Sequence, residues 1–489
     1  MLKTLLAEHR AARFAIAAAT GAAGVLCFAP FGLFWLAPLI WLGLFQLLRS
    51  AGTTRQAALT GLAFGLGFFL SGVSWVYVSL SVFGGMPWWL AGIAAFLFCS
   101  VMALFPMLAG ALFKRWQPAS PWRQALYFAA LIAAVDWLRS WIFTGFPWLA
   151  VGYSQAPPSP LAGFAPLLGV HGLSLLVVLA GALLLRWRLG LGFIALTVAA
   201  GYGLQQVPWT SPVGPPVSVA LIQGNVPQEM KFRPEAFART LTLYRELVAQ
   251  NPAQLTLLPE TAIPAFFDQL PPAYIAELKA IVAGHGGDLI FGTLTGDGER
   301  YFNSAVSLGQ SPLQVYGKTH LVPFGEIVPP GFAWFMAYAN IPMSGFSRGP
   351  EMQPPLVVAG QQVAVNICYE DVFGEEIIRA LPQASILANL SNTAWFGRSL
   401  AQPQHLQIAR LRAVETGRPM LRATNTGMTA VIAADGSLQA VLPPFTQGVL
   451  KTEVRGYQGM TPYARVGNLG FLLLAGLCLL VSQWRPRRH

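Results

Sequence analysis

Three reactive side chains share one position in the sequence pattern. Cys368 directly follows the apolar run Val363-Ala-Val-Asn-Ile367, Glu260 follows Leu255-Thr-Leu-Leu-Pro259, and Lys318 follows Leu313-Gln-Val-Tyr-Gly317. Together they could run acyl chemistry. A carboxylate takes the thiol proton, the thiolate attacks a carbonyl, and the ammonium stabilises the oxyanion that forms. A helix expected to open near Asp371 would aim its first amides at the sulfur and lower the thiol pKa. Glu326, eight residues after Lys318, could orient the lysine or share in the proton transfer. Each residue also has a plainer reading. Cys368 would be a buried, inert cysteine, Glu260 and Lys318 an ordinary surface pair, and Glu326 a solvated loop residue.

Side chains just beyond the carboxyl ends of strands gather around one crevice in α/β sheets, so the elements decide between these readings. Strands are expected at 217–222, 255–258, 288–291, 305–308, 313–316, 363–367 and 385–388. Helices are expected at 233–250, 272–284, 373–381 and 402–416. This alternation predicts a layered α/β domain over 216–455, long enough for a single core.

The rest of the chain is of another kind. The 489 residues are 54% hydrophobic and 10% charged, against about a quarter charged in a soluble domain. Of the 20 acidic residues, only Glu8 and Asp136 precede residue 216. Apolar runs at 12–28, 30–48, 57–80, 88–113, 124–143, 161–185, 189–208 and 466–484 are near the length that spans a bilayer. We read the first as a retained hairpin helix rather than a cleaved signal peptide, because the second follows after a Pro-Phe-Gly turn. A polytopic α-helical membrane domain of eight spans is therefore predicted, divided as 1–215 with seven spans, 216–455 as the polar domain, and 456–489 with the last span and a basic tail.

Basic residues set the orientation. Lys3, Arg10, Arg13, Arg49, Arg55, Lys114, Arg115, Arg123, Arg186, Arg188, Arg485, Arg487 and Arg488 fall on one side, whereas the loops near 29–31, 81–87 and 144–160 contain no Lys or Arg. Both termini are predicted cytoplasmic and the 216–455 domain external, in the periplasm if the cell is bacterial. The net charge of +11 reflects these flanks; there is no basic stripe interleaved with aromatics that would point to nucleic acid. Asp136 and Arg139, three apart in the fifth span, read as a structural pair before a chemical one, and His171 as a packed or interfacial histidine. No Cys/His set has metal-site spacing and no phosphate-binding glycine loop is present, so neither metal nor cofactor is expected.

The segments Leu258-Pro-Glu260-Thr, Tyr316-Gly-Lys318-Thr-His-Leu-Val-Pro-Phe-Gly-Glu326 and Asn366-Ile-Cys368-Tyr-Glu370-Asp resemble the Glu-Lys-Cys triad of the nitrilase, or carbon–nitrogen hydrolase, family. With the flanking spans, and with Thr144-Gly-Phe-Pro-Trp148, Gln223-Gly-Asn225-Val-Pro-Gln228, Leu390-Ser-Asn392-Thr-Ala-Trp395-Phe-Gly397 and Ala423-Thr-Asn425-Thr-Gly427, the chain resembles the apolipoprotein N-acyltransferase family over nearly its full length. The resemblance implies a nitrilase-like αββα sandwich on a membrane base. It makes Glu260 the general base, Cys368 the nucleophile and Lys318 the oxyanion stabiliser, with Glu326, Tyr369 and Glu370 supporting.

It also implies a ping-pong reaction. An acyl chain would leave a membrane phospholipid, such as phosphatidylethanolamine, for Cys368, and then pass to the terminal amine of a diacylglyceryl-apolipoprotein at the bacterial inner membrane. Phe232, Asn225, Trp395, Trp148 and Tyr77 are the expected substrate contacts, although Trp75, Tyr77, Trp88, Trp89 and Trp148 could equally form an interfacial aromatic belt. Two positions depart from the family pattern. Phe232 stands where a tryptophan is usual, and Thr393 where an aspartate is usual. A membrane-tethered amidase that uses water as acceptor, and a transporter or scaffold with a degenerate catalytic domain, are the competing classes.

Overall fold

A computed structural model describes residues 10–231, 233–328 and 345–484. Phe232 and the basic residues Lys3, Arg485, Arg487 and Arg488 lie outside the described residues. The chain divides into two compact units. One comprises 1–77, 88–207 and 465–489; the other comprises 78–87 and 208–464.

Among the described residues of the second unit, twelve strands form two six-stranded sheets. They are β1 (Thr210–Gln223), β2 (Leu255–Leu257), β3 (Asp288–Gly296), β4 (Tyr301–Gly309), β5 (Gln314–Gly317), β6 (Leu356–Val358), β7 (Gln361–Ile367), β8 (Ile386–Ser391), β9 (Met420–Thr424), β10 (Ala430–Ile432), β11 (Leu438–Val441) and β12 (Gly448–Gly459). The spatial orders are β12-β1-β2-β3-β4-β5 and β11-β10-β9-β8-β7-β6. Strands β1 to β3 run parallel, as do β7 to β9.

The central strands of each sheet are buried on both faces, so they read as near-continuous apolar runs. The two-residue repeat then sorts the side chains. Val217, Val219, Leu221 and Ile290 meet Val363, Val365, Ile367 and Ile386 between the sheets. Ile222, Leu289 and Phe291 face outward into a layer with helix Pro234–Gln250 and helix Pro272–Ala283. Ala364, Leu387 and Met420 face the other way, onto helix Ala401–Thr416. The result is the expected αββα sandwich. The helix expected at 373–381 is reduced to a single turn, Gly374–Ile377, followed by a 3-10 turn. Strands β6 and β9 to β12 were not anticipated from the sequence.

The other unit is helical, with helices Arg10–Gly24, Ala37–Arg49, Thr54–Gly72, Trp88–Arg115, Pro121–Arg139, Ala165–Leu183, Trp187–Gln205 and Leu469–Gln483. By length and composition, two helical stretches among the described residues could cross a membrane, Trp88–Arg115 and 160–205. Thr54–Gly72 with Val76–Phe83, bent by 58°, makes a third if taken as one span. Close approach of backbones needs small residues: a Cβ on Gly67 would lie 1.9 Å from the Ala18 carbonyl oxygen.

Asp136 and Arg139 form the buried pair expected of them, at 2.8 Å. Together they pin the following loop. Asp136 accepts from the Val151 amide and from Ser174 Oγ, while Arg139 donates to the carbonyls of Phe146 and Trp148. His171 is buried beside the Phe471 ring.

Candidate active site

Strand direction explains why the site forms. Glu260 lies three residues past β2, and Cys368 directly past β7. The β3–β4 and β4–β5 pairs are antiparallel, so β5 again runs with β2 and delivers Lys318 at the same edge. The first residues of β4 lie there too, which brings in Asn303. The Pro259–Thr261 backbone packs so closely on β3 that a Cβ on Gly292 would sit 2.3 Å from the Thr261 nitrogen.

The side chains meet in a buried cluster. Lys318 Nζ is 2.8 Å from Glu326 Oε2, 2.9 Å from Glu326 Oε1 and 3.4 Å from Glu260 Oε1. Asn303 Nδ2 donates to both carboxylates, at 2.8 Å to Glu260 and 2.9 Å to Glu326. The Asn392 amide donates to Glu260 Oε2 at 2.8 Å, tying one sheet to the other. Glu260 and Lys318 are 7% and 1% exposed, which rules out the surface-pair reading.

Cys368 has φ of 55°, a left-handed conformation that costs a non-glycine residue on the order of 1 kcal/mol or more and persists only where the surroundings impose it. Two networks impose it. Glu370 accepts from the amides of Ile367, Thr319 and His320 at 2.6, 2.6 and 3.0 Å and from the Tyr316 hydroxyl. It therefore joins the turn that carries the sulfur to the loop that carries Lys318. Beneath, Asn389 Nδ2 donates to the Cys368 carbonyl at 3.1 Å. Asn389 Oδ1 accepts from Arg422, which donates to Asp371, which in turn hydrogen-bonds His405 Nε2 at 2.6 Å.

Electrostatics corrects one expectation. The residues after Cys368 form a 3-10 turn, Cys368–Val372, not an α-helix. Burial drives the thiol well above its ordinary pKa, Glu260 adds to this, and Lys318 only partly opposes it. At rest the sulfur is a protonated thiol, buried at 8% exposure, yet it feels both the carboxylate and the ammonium. Burial would also raise the Glu260 carboxyl, but Lys318, Lys231, Asn303 and the Asn392 amide together hold it below the ordinary value. Burial would lower Lys318, but Glu326 and then Glu260 hold it well above its ordinary value.

The remaining expected residues are dispersed. Tyr369 is buried, edge-on to Phe373. Asn225 is half-buried with φ of 51°, its amide bonded to the Asn425 carbonyl. Trp395 is half-buried against Phe83, and its carbonyl accepts from Ser79. Tyr77 is half-buried. Trp148 does not line an open surface. It is fully buried, packed against Trp75 and Phe146, and its carbonyl accepts from Arg139. Of the proposed belt, Trp88 and Trp89 are exposed. Where the aspartate is missing, Thr393 instead pairs with Gln402 through two hydrogen bonds.

Sequence reasoning missed Asn303, the role of Asn392, and Lys231. Lys231 is buried, and its ammonium donates to the Glu260 carbonyl at 3.0 Å. The polar Asn303-Ser304 pair inside an otherwise apolar strand was the available signal for the first. No group of three or more His, Cys, Asp or Glu residues suited to a metal occurs among the described residues.

Comparison with known proteins agrees with this architecture. Residues 20–183 match the family described as apolipoprotein N-acyltransferase N-terminal domain, and residues 218–461 match the family described as carbon–nitrogen hydrolase. Full-length relatives include apolipoprotein N-acyltransferases of Nitrosomonas europaea, 50% identical over 96% of this chain and 97% of that one, and of Ralstonia nicotianae, 46% identical over 97% and 94%. A third, from Chromobacterium violaceum, is 46% identical over 96% and 94%. The similarity runs over nearly the whole length of these relatives, and the chain belongs to the apolipoprotein N-acyltransferase family.

Proposed function

We propose that this enzyme moves a fatty acyl group from a membrane phospholipid, phosphatidylethanolamine being the expected donor, to the terminal amine of a diacylglyceryl-cysteine on an apolipoprotein. The observation that carries the reading is the convergence of Glu260, Lys318 and Cys368 in one buried cluster of a chain whose other unit is apolar helix.

The reaction runs in two halves. As Cys368 Sγ attacks the ester carbonyl, Glu260 takes its proton and Lys318 stabilises the oxyanion. Collapse of the tetrahedral intermediate breaks the ester C–O bond. The departing lysophospholipid alkoxide takes the proton from Glu260, which leaves a thioester. The acceptor amine then attacks that thioester and gives its proton to Glu260. The C–S bond breaks, and the proton returns to the sulfur. Glu326 holds Lys318 in place, and Glu370 and Tyr369 shape the turn at the nucleophile.

Eight membrane spans, with domains at 1–215, 216–455 and 456–489, suit this chemistry. Both substrates are bilayer-anchored, and a periplasmic domain on an inner-membrane base with cytoplasmic termini holds the site near them, replacing diffusion by proximity. Phe232, Asn225, Trp395 and Tyr77 remain the proposed lipid contacts, with Trp148 supporting its loop from within. Purified protein mixed with phospholipid should give a hydroxylamine-sensitive acyl adduct on Cys368, detected by mass spectrometry together with released lysophospholipid, and absent in Glu260→Ala. An adduct on another residue, or acyl transfer to water at equal rate without lipoprotein acceptor, would overturn the proposal.

A further inference from the structure

Lys231 is a buried cation that the two-half reaction above does not use. It is 3% exposed, and among the described residues its ammonium has a single hydrogen-bond acceptor, the main-chain carbonyl of the general base, Glu260, at 3.0 Å. A buried ammonium with so few partners is costly unless charge nearby compensates it. The compensation faces it from other elements. Glu260 comes from the end of β2 and Cys368 from the end of β7, and both act on its ionisation. Lys318 and Glu326 complete the charged set around Glu260. The charged neighbours on its own segment, Glu229 and Arg233, are exposed. Glu370 is compensated separately by three amides and a hydroxyl.

Two carboxylates, Glu260 and Glu326, therefore share one buried site with two ammoniums, Lys231 and Lys318. With the thiol protonated their charges cancel. They still cancel when the thiol proton moves to Glu260, because the negative charge only changes place, from oxygen to sulfur. Without Lys231 the site would carry a net negative charge throughout, before and after the proton moves, in a region where burial leaves charge poorly screened.

We propose that Lys231 is a positioning residue for acyl transfer: its positive charge balances the Glu260–Lys318–Glu326 cluster and fixes the Glu260 backbone, so that thiolate formation at Cys368 depends on Lys231 being protonated. This rests on the reading of the site given under the proposed function. Burial lowers the Lys231 ammonium to about 8 against the opposing pull of Glu260 and Cys368, so the balance is lost just above neutral pH.

The experiment is single-turnover acylation of Cys368 by a fluorescent phosphatidylethanolamine in detergent micelles, followed from pH 6 to 10, in wild type, Lys231→Met and Lys231→Arg. The wild-type rate should fall as pH rises through about 8. Lys231→Met should acylate roughly 30-fold more slowly at pH 7, a factor in keeping with one lost buried charge interaction, and should lack that inflection. Lys231→Arg, charged throughout, should move the alkaline fall upward by a pH unit or more. A purely structural lysine would change rate without moving the inflection.

A wild-type profile flat between pH 7 and 9 overturns the inference whether or not the variants fold, as does a Lys231→Met protein that matches wild type in rate and profile. In both cases the acyl-enzyme reading stands. A wild type that forms no adduct on Cys368 overturns that reading, and this inference with it.

Discussion

Glu260→Gln should push two properties of Cys368 in opposite directions. Acyl-enzyme formation should collapse, because the proton acceptor is gone; a positioned general base contributes about 100- to 10,000-fold. Yet the thiol should become more acidic, since Glu260 is, after burial, the largest influence raising its pKa. A neighbouring carboxylate within about 4–6 Å shifts a pKa by roughly one unit or more, so the thiolate fraction near neutrality should rise about 10-fold. Both Glu260 oxygens accept hydrogen bonds, from Asn303 and from the Asn392 amide. The glutamine NH2 must face one of those donors, which costs about 1–3 kcal/mol of stability. The assay is residue-resolved alkylation with iodoacetamide, read by mass spectrometry in detergent at several pH values, with the buried Cys27, Cys99 and Cys478 as internal controls for unfolding. Alkylation at Cys368 should be faster in Glu260→Gln than in wild type at equal pH, while acylation by phospholipid is lost. Slower or unchanged alkylation would mean that Glu260 does not act on the sulfur, and the proposed proton transfer would fall with it.

Lys318→Met should lower the single-turnover acylation rate by about 100- to 1,000-fold, as for a lost oxyanion donor. It should also destabilise the protein by about 3–5 kcal/mol in chemical denaturation, because Glu260 and Glu326 are left buried without their common cation. His405 is held neutral, its pKa lowered by burial and by Arg422 against the pull of Asp371. The unfolded chain therefore binds the proton more readily, and stability is complete above about 6.5 and declines as pH falls toward the folded value. Melting temperatures between pH 8 and 5 should show that decline, and His405→Gln should flatten it; an equal slope in the variant would exclude His405 as its source. Gly67→Ala should lower the melting temperature, since a Cβ 1.9 Å from the Ala18 oxygen forces the two helices apart at a cost of about 1–3 kcal/mol.

The convergence of Glu260, Lys318 and Cys368 was legible because each follows an expected strand, and β2 and most of β7 are buried and largely apolar. The later strands were not. β11 is exposed for most of its length, and β12 alternates inward Leu450 and Val454 with outward Lys451 and Arg455, so neither shows a buried-strand signature. Asn392 and Lys231 could not be found by local pattern, and the polar pair in β4 marked Asn303 without giving its role. Their roles depend on register across β4 and β5, on contact between the two sheets, and on a turn after β1 that folds back over Glu260. The expected acidic thiol failed for a definite reason. A 3-10 turn offers few aligned amide dipoles, and desolvation of the sulfur outweighs them. Trp148 misled in a similar way. An indole suits an interface, but this one is enclosed by Trp75 and Phe146, contacts that no local pattern shows.

A thiol held above its ordinary pKa beside a carboxyl held below it is a poor nucleophile pair only if the proton must move before the substrate arrives. In the resting site the transfer from Cys368 to Glu260 is uphill, so a free thiolate is scarce and unselective attack on passing electrophiles is slow. In the proposed reaction, once an ester carbonyl lies over the sulfur, the negative charge passes on to the carbonyl oxygen, toward Lys318, and the uphill transfer is drawn forward by bond formation. The same low pKa then serves the second proton transfer. Protonated Glu260 is a stronger acid than an ordinary carboxyl, and it faces an alkoxide leaving group far more basic than itself. Lys318, the charge that lowers Glu260 most at rest, therefore weakens it as a base in the first transfer and strengthens it as an acid in the second.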